Sequence, residues 1–372
     1  MENIKFTAPC LFGVESIAAS ELERMDIKNV RAENGRVSFE GDMNTLARAN
    51  ICSRYLERIC INVGEFDAVS FEELFQGVKS LPWENFIGKN DAFPVNGYSL
   101  NSALFSIPDC QAITKKAIVE RLKTKYGISW FSETGPELKI RFSILKNHVT
   151  MMIDTSGEGL HKRGYRRNSN AAPLKETLAA AMCDTARIYP DTKLFDPFCG
   201  SGTILIEAAM MAKKMAPGLR RFFAAEKFGF VPEKVWREER TRAQDLILQN
   251  IDFEAVGYDI DPEAVRLTEE NAAKAGVSKY VRVERADVRD FKAPEERCLI
   301  ITNPPYGERL LDIKEAEELY RVMGERFETG GGRKYFVISP HDDFEKIFGK
   351  TADKRRKLYN GMIRCQLYMY FK

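Results

Sequence analysis

An asparagine, two prolines and a tyrosine in succession, Asn303-Pro304-Pro305-Tyr306, follow the apolar run 299–302. The run predicts a buried strand, and the prolines make the turn after it rigid. On such a turn, the Asn303 side-chain oxygen and a main-chain carbonyl can accept both hydrogens of an exocyclic amine, which exposes the nitrogen lone pair. Tyr306 can stack on the base that carries the amine. The alternative is a turn that only ends the strand.

A glycine-rich loop lies in the segment 194–203, where a predicted buried strand precedes it and a predicted helix at 204–213 follows. Gly200 and Gly202 allow backbone angles and a close ligand approach that a Cβ would block. Asp196 at the strand end can accept a hydrogen bond from a polar or cationic group. Because the spacing is not G-x-G-x-x-G and no lysine follows, we do not expect a phosphate cradle. A simple glycine turn is the alternative.

Carboxylates also follow the next two predicted strands. Asp259 can accept hydrogen bonds from both hydroxyls of a ribose. Asp261 precedes Pro262, which is the pattern of a helix N-cap with proline in the first turn. Asp287 can accept from the amine of an adenine, or it can cap the turn that follows. The strand ends of this half of the chain therefore indicate a site for an adenosyl compound.

The loop resembles the cofactor loop of S-adenosylmethionine-dependent methyltransferases. Over nearly its whole length the chain resembles the THUMP-containing RNA methyltransferases, and most closely the bacterial guanine-N2 methyltransferases of large-subunit (23S) ribosomal RNA. The segments that carry the resemblance are 160–166, 172–176, 196–203, Asp259 and 303–309. Some members of the family carry a second methyltransferase after the first. The chain stops at Lys372 without one, so we expect the activity of that second module to be absent.

The resemblance implies S-adenosylmethionine as the cofactor. The residues expected to bind it are Asp196, Phe198, Cys199, Gly200, Gly202, Thr203, Asp259, Ile260, Asp287 and Val288. The residues expected to hold the target base are Asn303, Pro304, Pro305 and Tyr306. Cys199 as a nucleophile for carbon methylation is a further alternative, although it lies in the cofactor loop. No C-x-x-C pair occurs in the sequence, so we do not expect a metal.

The resemblance also implies the fold class, which is α/β: a Rossmann-like seven-stranded methyltransferase domain preceded by an α+β ferredoxin-like unit and a THUMP domain. The expected bounds are 1–63 for the ferredoxin-like domain, 64–160 for the THUMP RNA-binding domain and 161–372 for the methyltransferase domain. The first unit shows a β-α-β-β-α-β pattern, with its second helix predicted at 43–59. A short strand is predicted at 104–106. In the last domain strands and helices alternate and end in a hairpin, which predicts a mostly parallel sheet with an antiparallel last strand.

Two basic segments are candidates for contact with RNA. On the predicted helix 110–126 the cations outnumber the single acid Glu120. The helix candidates are Lys115, Lys116, Lys123 and Lys125. The segment 161–167 combines cations with an aromatic ring able to stack. Its candidates are His161, Lys162, Arg163, Tyr165, Arg166 and Arg167. The alternatives are a solvated helix face and a polar interdomain linker. The arginines of the second helix are interpreted as a solvated face, with contact to RNA as the alternative, namely Arg48, Arg54 and Arg58.

Composition sets limits on the class of protein. With 372 residues, of which 44% are hydrophobic and 30% charged, the chain should form two or three folded domains. A net charge of +2 means that any nucleic-acid surface must be a local patch. The eight scattered cysteines indicate free thiols in a reducing compartment. No segment has the ~18 consecutive apolar residues of a membrane span, and no leader precedes the first strand, so we expect a cytoplasmic protein.

The expected function is S-adenosylmethionine-dependent methylation of the exocyclic N2 amine of a guanine in 23S ribosomal RNA, which is the expected partner. Two alternatives stay open. The Asn-Pro-Pro-Tyr turn can hold any exocyclic amine, so an adenine-N6 methyltransferase acting on RNA or DNA fits the catalytic half equally well. A non-catalytic RNA-binding assembly factor is the second alternative. The intact Asn303 and the glycine loop count against it.

Overall fold

A computed structural model describes residues 3–166, 174–294, 297–306 and 313–371. Within these ranges the strands form two seven-stranded sheets, one in each half of the chain. The fold class is therefore α/β, as predicted. None of the eight cysteines, which all lie within these ranges, forms a disulfide. No helix in the same ranges combines the length and the apolarity needed to cross a membrane.

The first sheet has the strand order β2-β3-β1-β4-β7-β6-β5. The strands are β1 (Ile4–Pro9), β2 (Lys28–Glu33), β3 (Arg36–Gly41), β4 (Cys60–Asp67), β5 (Val95–Leu100), β6 (Ile140–Leu145) and β7 (His148–Asp154). The helices are α1 (Glu15–Arg24), α2 (Met43–Cys52), α3 (Phe71–Ser80) and α4 (Ile107–Tyr126). Since β4 pairs antiparallel with β7, the predicted ferredoxin-like and THUMP segments contribute to one continuous sheet.

Two predictions about the helices and strands of this half are wrong. The second helix ends at Cys52 instead of residue 59. It stops there because the buried carboxylate of Glu21 accepts a hydrogen bond from Ser53 Oγ at 2.8 Å and another from the Arg54 N–H at 3.0 Å. Residues 104–106 form no strand, and α4 begins directly after them with a proline in its first turn.

The second sheet has the strand order β10-β9-β8-β11-β12-β14-β13. Its strands are β8 (Lys193–Asp196), β9 (Glu254–Asp259), β10 (Val281–Arg285), β11 (Leu299–Thr302), β12 (Lys334–Ser339), β13 (Lys354–Asn360) and β14 (Ile363–Tyr370). The helices are α5 (Glu176–Ala186), α6 (Thr203–Ala212), α7 (Glu233–Asp245), α8 (Pro262–Ala275), α9 (Ile313–Arg326) and α10 (Phe344–Phe348). Strands β8 to β12 are parallel, and β14 is antiparallel to β12, which confirms the predicted mostly parallel sheet.

Arginines of the N-terminal half hold the two halves together. Arg48 on α2 pairs with the buried Glu239 on α7, with Nη2 and Oε1 2.7 Å apart. The Arg54 guanidinium donates to the main-chain oxygen of Met215 at 2.7 Å and is itself buried. The interpretation of Arg48 and Arg54 as a solvated face is therefore wrong, because they satisfy buried acceptors across the junction. Arg58 lies beyond the end of α2 and pairs with the buried Asp154 of the N-terminal half, so it is not part of a solvated helix face either.

The segment that joins the halves is also part of this junction. Arg163 and Tyr165 are 5% and 3% exposed. The Arg163 guanidinium lies 3.4 Å from Oε1 of Glu207 on α6, and the Tyr165 hydroxyl donates to the same oxygen at 3.1 Å. Arg166 donates to Oγ1 of Thr203, the first residue of α6, at 3.2 Å. The predicted RNA contact is therefore corrected for Arg163 and Tyr165, because buried and paired groups cannot reach a phosphate.

Replacing Arg163 by methionine should lower the free energy of unfolding by roughly 3 kcal/mol, because the Glu207 carboxylate would stay buried without its cation. The matched control is Lys162→Met, since Lys162 pairs with Glu158 on the surface and its side chain is 60% exposed. That change should cost less than about 0.5 kcal/mol. Urea unfolding measures both. Equal small effects would show that the Arg163–Glu207 pair does not stabilise the junction.

Candidate active site at the carboxyl edge of the second sheet

A cavity of about 800 Å³ opens at the carboxyl ends of β8, β9, β10 and β11. This edge is where ligands bind in open α/β sheets, next to the point where the strand order reverses. Here the reversal lies between β8 and β11. Every residue predicted to bind cofactor or target base, except Gly202, lines this cavity. The fold thus brings together groups that are far apart in the sequence, although their individual roles remain predictions.

The two glycines of the loop have different environments. Gly200 has φ +55°, and a Cβ there would meet no atom within 4 Å. Its N–H donates to Oδ2 of Asp259 at 2.9 Å. Gly202 has φ +76°, and a Cβ there would lie 2.6 Å from the Thr268 side chain on α8. Gly200 therefore leaves space beside the cavity. Gly202 instead permits close packing against α8 and does not line the cavity, although a contact with the ligand was predicted for it.

Asp259 and Asp261 make different hydrogen bonds. Asp259 ends β9 and accepts hydrogen bonds from the Gly200 N–H and, at 3.0 Å, from the Asp261 N–H. Burial raises the pKa of its carboxyl. Asp261 accepts from the Glu263 N–H at 2.9 Å, which confirms the predicted N-cap of α8. Ile260 between them is 60% exposed and lines the cavity, so its side chain is available to a ligand.

Asp196 is the most deeply buried carboxyl group of the site, with 1% exposure. Oδ1 accepts from Thr302 Oγ1 at 2.7 Å and from the Phe198 N–H at 3.1 Å. Burial raises its pKa to about 7 despite these donors. A cation placed beside Asp196 would relieve this penalty, so the site is suited to a positively charged ligand group.

Asp287 fits both of its predicted descriptions. It caps the short helical turn Val288–Asp290 by accepting from the Arg289 N–H at 2.9 Å. It also lines the cavity together with Val288. The Arg289 side chain donates to Oδ2 at 2.8 Å, and both oxygens keep a further lone pair, so contact with an adenine amine remains a prediction.

Cys199 does not have the environment of a nucleophile. It is 6% exposed, and its Sγ lies 3.9 Å from Thr268 Oγ1. Burial raises the pKa of the thiol well above its usual value. Because the thiolate is the reactive form, this placement argues against carbon methylation through Cys199.

The turn after β11 brings its asparagine to the cavity. Asn303 is half-buried, and Oδ1 accepts a hydrogen bond from the Tyr306 hydroxyl. Tyr306 is 9% exposed, and the Tyr320 hydroxyl donates to the Pro305 carbonyl at 3.4 Å. The buried Tyr306 ring differs from the predicted stacking platform. In this conformation Tyr306 orients the Asn303 amide, whose oxygen keeps a second lone pair for another donor.

The sequence did not indicate that the last hairpin contributes to the site. Asn360 and Ile363 stand on either side of its two-residue turn, and both line the cavity. The one local signal is Gly361, whose φ of +66° suits the first position of such a turn. That signal predicts a hairpin but does not predict which part of the protein the hairpin faces. The hairpin reaches the cavity because β14 pairs with β12, and β12 pairs with β11.

Carboxylates from other segments surround the lysines on α4. Lys115 pairs with Glu133, and Lys125 lies 3.3 Å from Glu84. Because these acids lie outside the helix, the net charge of this surface is lower than the sequence of the helix alone predicts. The candidates are still Lys115, Lys116, Lys123 and Lys125, and their contact with RNA remains a prediction.

Part of the basic segment 161–167 is available for RNA. Lys162 exposes 60% of its side chain. His161 Nδ1 lies 3.2 Å from the Glu57 carboxylate. Three candidates are held inside the protein, namely Arg163, Tyr165 and Arg166. Arg167 lies outside the described residues. The segment is therefore a structural linker with an exposed cation, and contact of that cation with RNA remains a prediction.

Three family descriptions match successive parts of the chain. They are an RlmL ferredoxin-like domain at residues 5–60, a THUMP domain at 68–154 and an RMKL-like methyltransferase domain at 163–369. The last covers more than half of the sequence. The chain belongs to the RMKL-like methyltransferase family. This confirms the predicted family and the predicted order of ferredoxin-like, THUMP and methyltransferase parts.

Individual proteins support the assignment of this RMKL-like methyltransferase. YpsC of Bacillus subtilis (strain 168), provisionally named an RNA methyltransferase, is 40% identical and matches 100% of this chain and 97% of its own. The ribosomal RNA large subunit methyltransferase K/L of Cellvibrio japonicus (strain Ueda107) is 34% identical and matches 98% of this chain, which spans 51% of that relative. SMU.472, provisionally described as a methyltransferase and crystallised with SAH, has a TM-score of 0.94 and 40% identity, with 100% of this chain and 98% of the other covered.

The cofactor of this RMKL-like methyltransferase is S-adenosylmethionine, as predicted. The described residues fit this cofactor. The space beside Gly200 admits a ligand, and the desolvated carboxyl group of Asp196 suits the methionine ammonium. Asp259 can accept from the ribose hydroxyls, because each of its carboxylate oxygens accepts one backbone N–H and keeps a further lone pair. Among the described residues, no group of three or more His, Cys, Asp or Glu side chains could hold a metal.

Binding of S-adenosylmethionine should weaken as the pH falls below 7. The pKa of Asp196 is raised to about 7, so the carboxyl group must lose a proton before it can pair with the ammonium. We expect affinity to fall by roughly tenfold between pH 6 and pH 5. Calorimetry across this range measures it.

The variants for this test are Asp196→Asn and Asp261→Asn. Asp196→Asn should bind weakly at every pH and lose the dependence. Asp261→Asn changes a carboxylate that caps α8, and it should keep the slope of the wild-type protein. A flat affinity between pH 5 and pH 7 in the wild-type protein would show that Asp196 does not face the cation.

Proposed function

We propose that the protein transfers a methyl group from S-adenosylmethionine to the exocyclic N2 amine of a guanine in 23S ribosomal RNA. One observation carries the proposal: Asn303, on the rigid turn after β11, lines the same cavity as the strand-end carboxylates Asp196 and Asp259. An acceptor for an amine and acceptors for the cofactor therefore share one enclosed space. S-adenosylmethionine, when bound, supplies an electrophilic methyl group there.

The residues of the turn can prepare the amine for attack. The Asn303 side-chain oxygen and a main-chain carbonyl of the Pro-Pro turn would each accept one amine hydrogen, which directs the nitrogen lone pair outward. The Tyr306 hydroxyl fixes the orientation of the Asn303 amide. No general base is required, because the nitrogen becomes cationic on methylation and then loses its proton readily.

The choice of guanine rests on the sequence resemblance alone, whereas the relatives support ribosomal RNA as the substrate. The Cellvibrio japonicus protein is named for methylation of large-subunit ribosomal RNA, and this chain matches about half of it. The hydrogen-bond acceptors of the turn fit any exocyclic amine and do not distinguish guanine from adenine. The THUMP match at 68–154 supports RNA over DNA as the partner.

The target base must leave its stack to enter the cavity. Unstacking costs a few kcal/mol, which contacts with the RNA backbone can offset. Exposed cations outside the cavity, such as Lys162, could supply such contacts. We therefore infer that the preferred substrate is an unpaired or weakly paired segment.

The proposal is tested by incubating the purified protein with unmodified 23S ribosomal RNA and labelled cofactor, followed by digestion to nucleosides. We expect label in N2-methylguanosine. Label in N6-methyladenosine would instead establish an adenine-N6 methyltransferase. No transfer to any RNA would favour a non-catalytic assembly factor.

Changing Asn303 to alanine should lower turnover by about 10²- to 10³-fold and leave cofactor affinity nearly unchanged, because Asn303 acts on the acceptor. The neighbouring variant Thr302→Val is a matched control. It removes the hydrogen bond from Thr302 to Asp196 and should weaken cofactor binding. Single-turnover kinetics and calorimetry separate the two effects. Parallel loss of turnover and cofactor affinity in Asn303→Ala would place Asn303 at the cofactor instead.

A further inference from the structure

A groove lies at the edge of the second sheet opposite to the active-site cavity. It consists of two adjoining cavities of about 420 and 650 Å³ that share Arg187 and Tyr189. The smaller cavity is lined by Lys193, Leu299 and Lys334, which begin or lie near the start of β8, β11 and β12. The larger one extends across the junction to α1 and α7. We call this surface the rear groove.

Basic side chains dominate the rear groove. Those of the smaller cavity are Arg187, Lys193, Arg297 and Lys334, beside the acid Asp191. Those of the larger cavity, apart from the buried Arg54, are Arg24, Arg187, Lys214 and Arg242, beside Glu21 and Asp184. The active-site cavity has the opposite character. Its acids are Asp196, Asp259, Asp261, Asp287, Glu315 and Glu318, against Arg289 and Lys314. In a chain of net charge +2, cations are thus concentrated at one edge of the sheet.

Two of these cations lie at positions where the backbone is left-handed, a conformation that lysine and arginine rarely adopt. Arg187 has φ +62° and Lys214 has φ +56°, which is the left-handed region that glycine and asparagine adopt most readily. Both side chains are exposed. Among the described residues, neither forms an ion pair. Since such strain tends to persist where a side chain has a function, the two positions indicate a role for the cations themselves.

A structural explanation competes with this one. Arg187 directly follows α5, and Lys214 follows α6 by two residues. Cations near a helix C-terminus interact favourably with the helix dipole. That explanation accounts for each charge singly. It does not account for their convergence, with Arg24 and Lys334 from other elements, on one groove that also contains the half-exposed ring of Tyr189.

We propose that the rear groove binds the phosphate backbone of an RNA strand, with Tyr189 available to stack on a base. This inference rests on RNA being the substrate under the proposed function, and it adds a second contact surface far from the target base. Phosphates of the strand would be attracted by the cations of the rear groove. The groove also spans both halves of the chain, so a bound strand would contact the N-terminal unit and the methyltransferase domain together.

Glycine substitutions test the proposal without disturbing the fold. Arg187→Gly and Lys214→Gly remove the charges and suit the left-handed backbone, so stability should stay close to that of the wild-type protein. The matched control is Lys146→Gly. Lys146 has φ +52° in the turn between β6 and β7, outside the groove, and the change removes the same charge. Binding of a 23S ribosomal RNA transcript is measured at several salt concentrations.

We expect the double variant Arg187→Gly/Lys214→Gly to bind the transcript on the order of tenfold more weakly. Its plot of log affinity against log salt should be shallower by roughly 0.7–0.9 for each phosphate that the variant no longer neutralises. Lys146→Gly, which removes one charge from the THUMP part, should lose clearly less affinity than the double variant. Cofactor affinity should be unchanged in both variants, since none of these residues lines the active-site cavity.

Wild-type affinity and salt slope in the double variant would overturn the proposal. If the double variant were also less stable to heat, the cations would serve to stabilise the helix termini. If its thermal stability were unchanged, the groove would instead suit an acidic protein partner. These outcomes are independent of the proposed function, which fails when the wild-type protein transfers no methyl group to RNA. If the wild-type protein bound the transcript through the groove but methylated no RNA, the groove proposal would hold and the proposed function would fail.

Discussion

The buried side chain of Arg163 links the two halves, because it pairs with Glu207 on α6 and also donates to the Arg54 carbonyl of the N-terminal half. Glu207 lies on α6, one turn after the helix leaves the cofactor loop, and its side chain is fully buried. A buried carboxylate needs a cation or hydrogen-bond donors, and here the segment that joins the halves supplies both to Oε1 of Glu207. Arg166 extends this contact to Thr203 at the start of the same helix. The position of the cofactor loop is therefore tied to that of the N-terminal half.

Charge is divided between the two edges of the second sheet. Strand-end carboxylates gather around the cofactor cavity, where burial raises the pKa of Asp196 and Asp259. Cations gather in the rear groove at the opposite edge. This division matches a cationic cofactor at one end and, as we propose, an anionic strand at the other. It also explains how a nearly neutral chain could handle RNA.

The parts of the site that follow from local sequence were predictable. An apolar run that ends in Asp196 or Asn303 signals a buried strand with a polar end, and parallel strands bring such ends to one edge. The parts that depend on distant residues were not. The sequence could not show that Arg163 would pair with Glu207 in the interior. It could not show that Glu21 would accept from Ser53 at the end of α2. Nor could it show that Thr268 would occupy the space beside Gly202. In each case the deciding partner lies far along the chain.

One cavity should hold the cofactor and the target amine together, and a crystal structure of this protein with SAH tests this most directly. We expect the ribose hydroxyls on Asp259, the ammonium beside Asp196, and the sulfur facing Asn303 across a gap that fits a methyl group and an amine nitrogen. SAH bound elsewhere, or with its sulfur turned away from Asn303, would contradict a shared cavity for cofactor and amine.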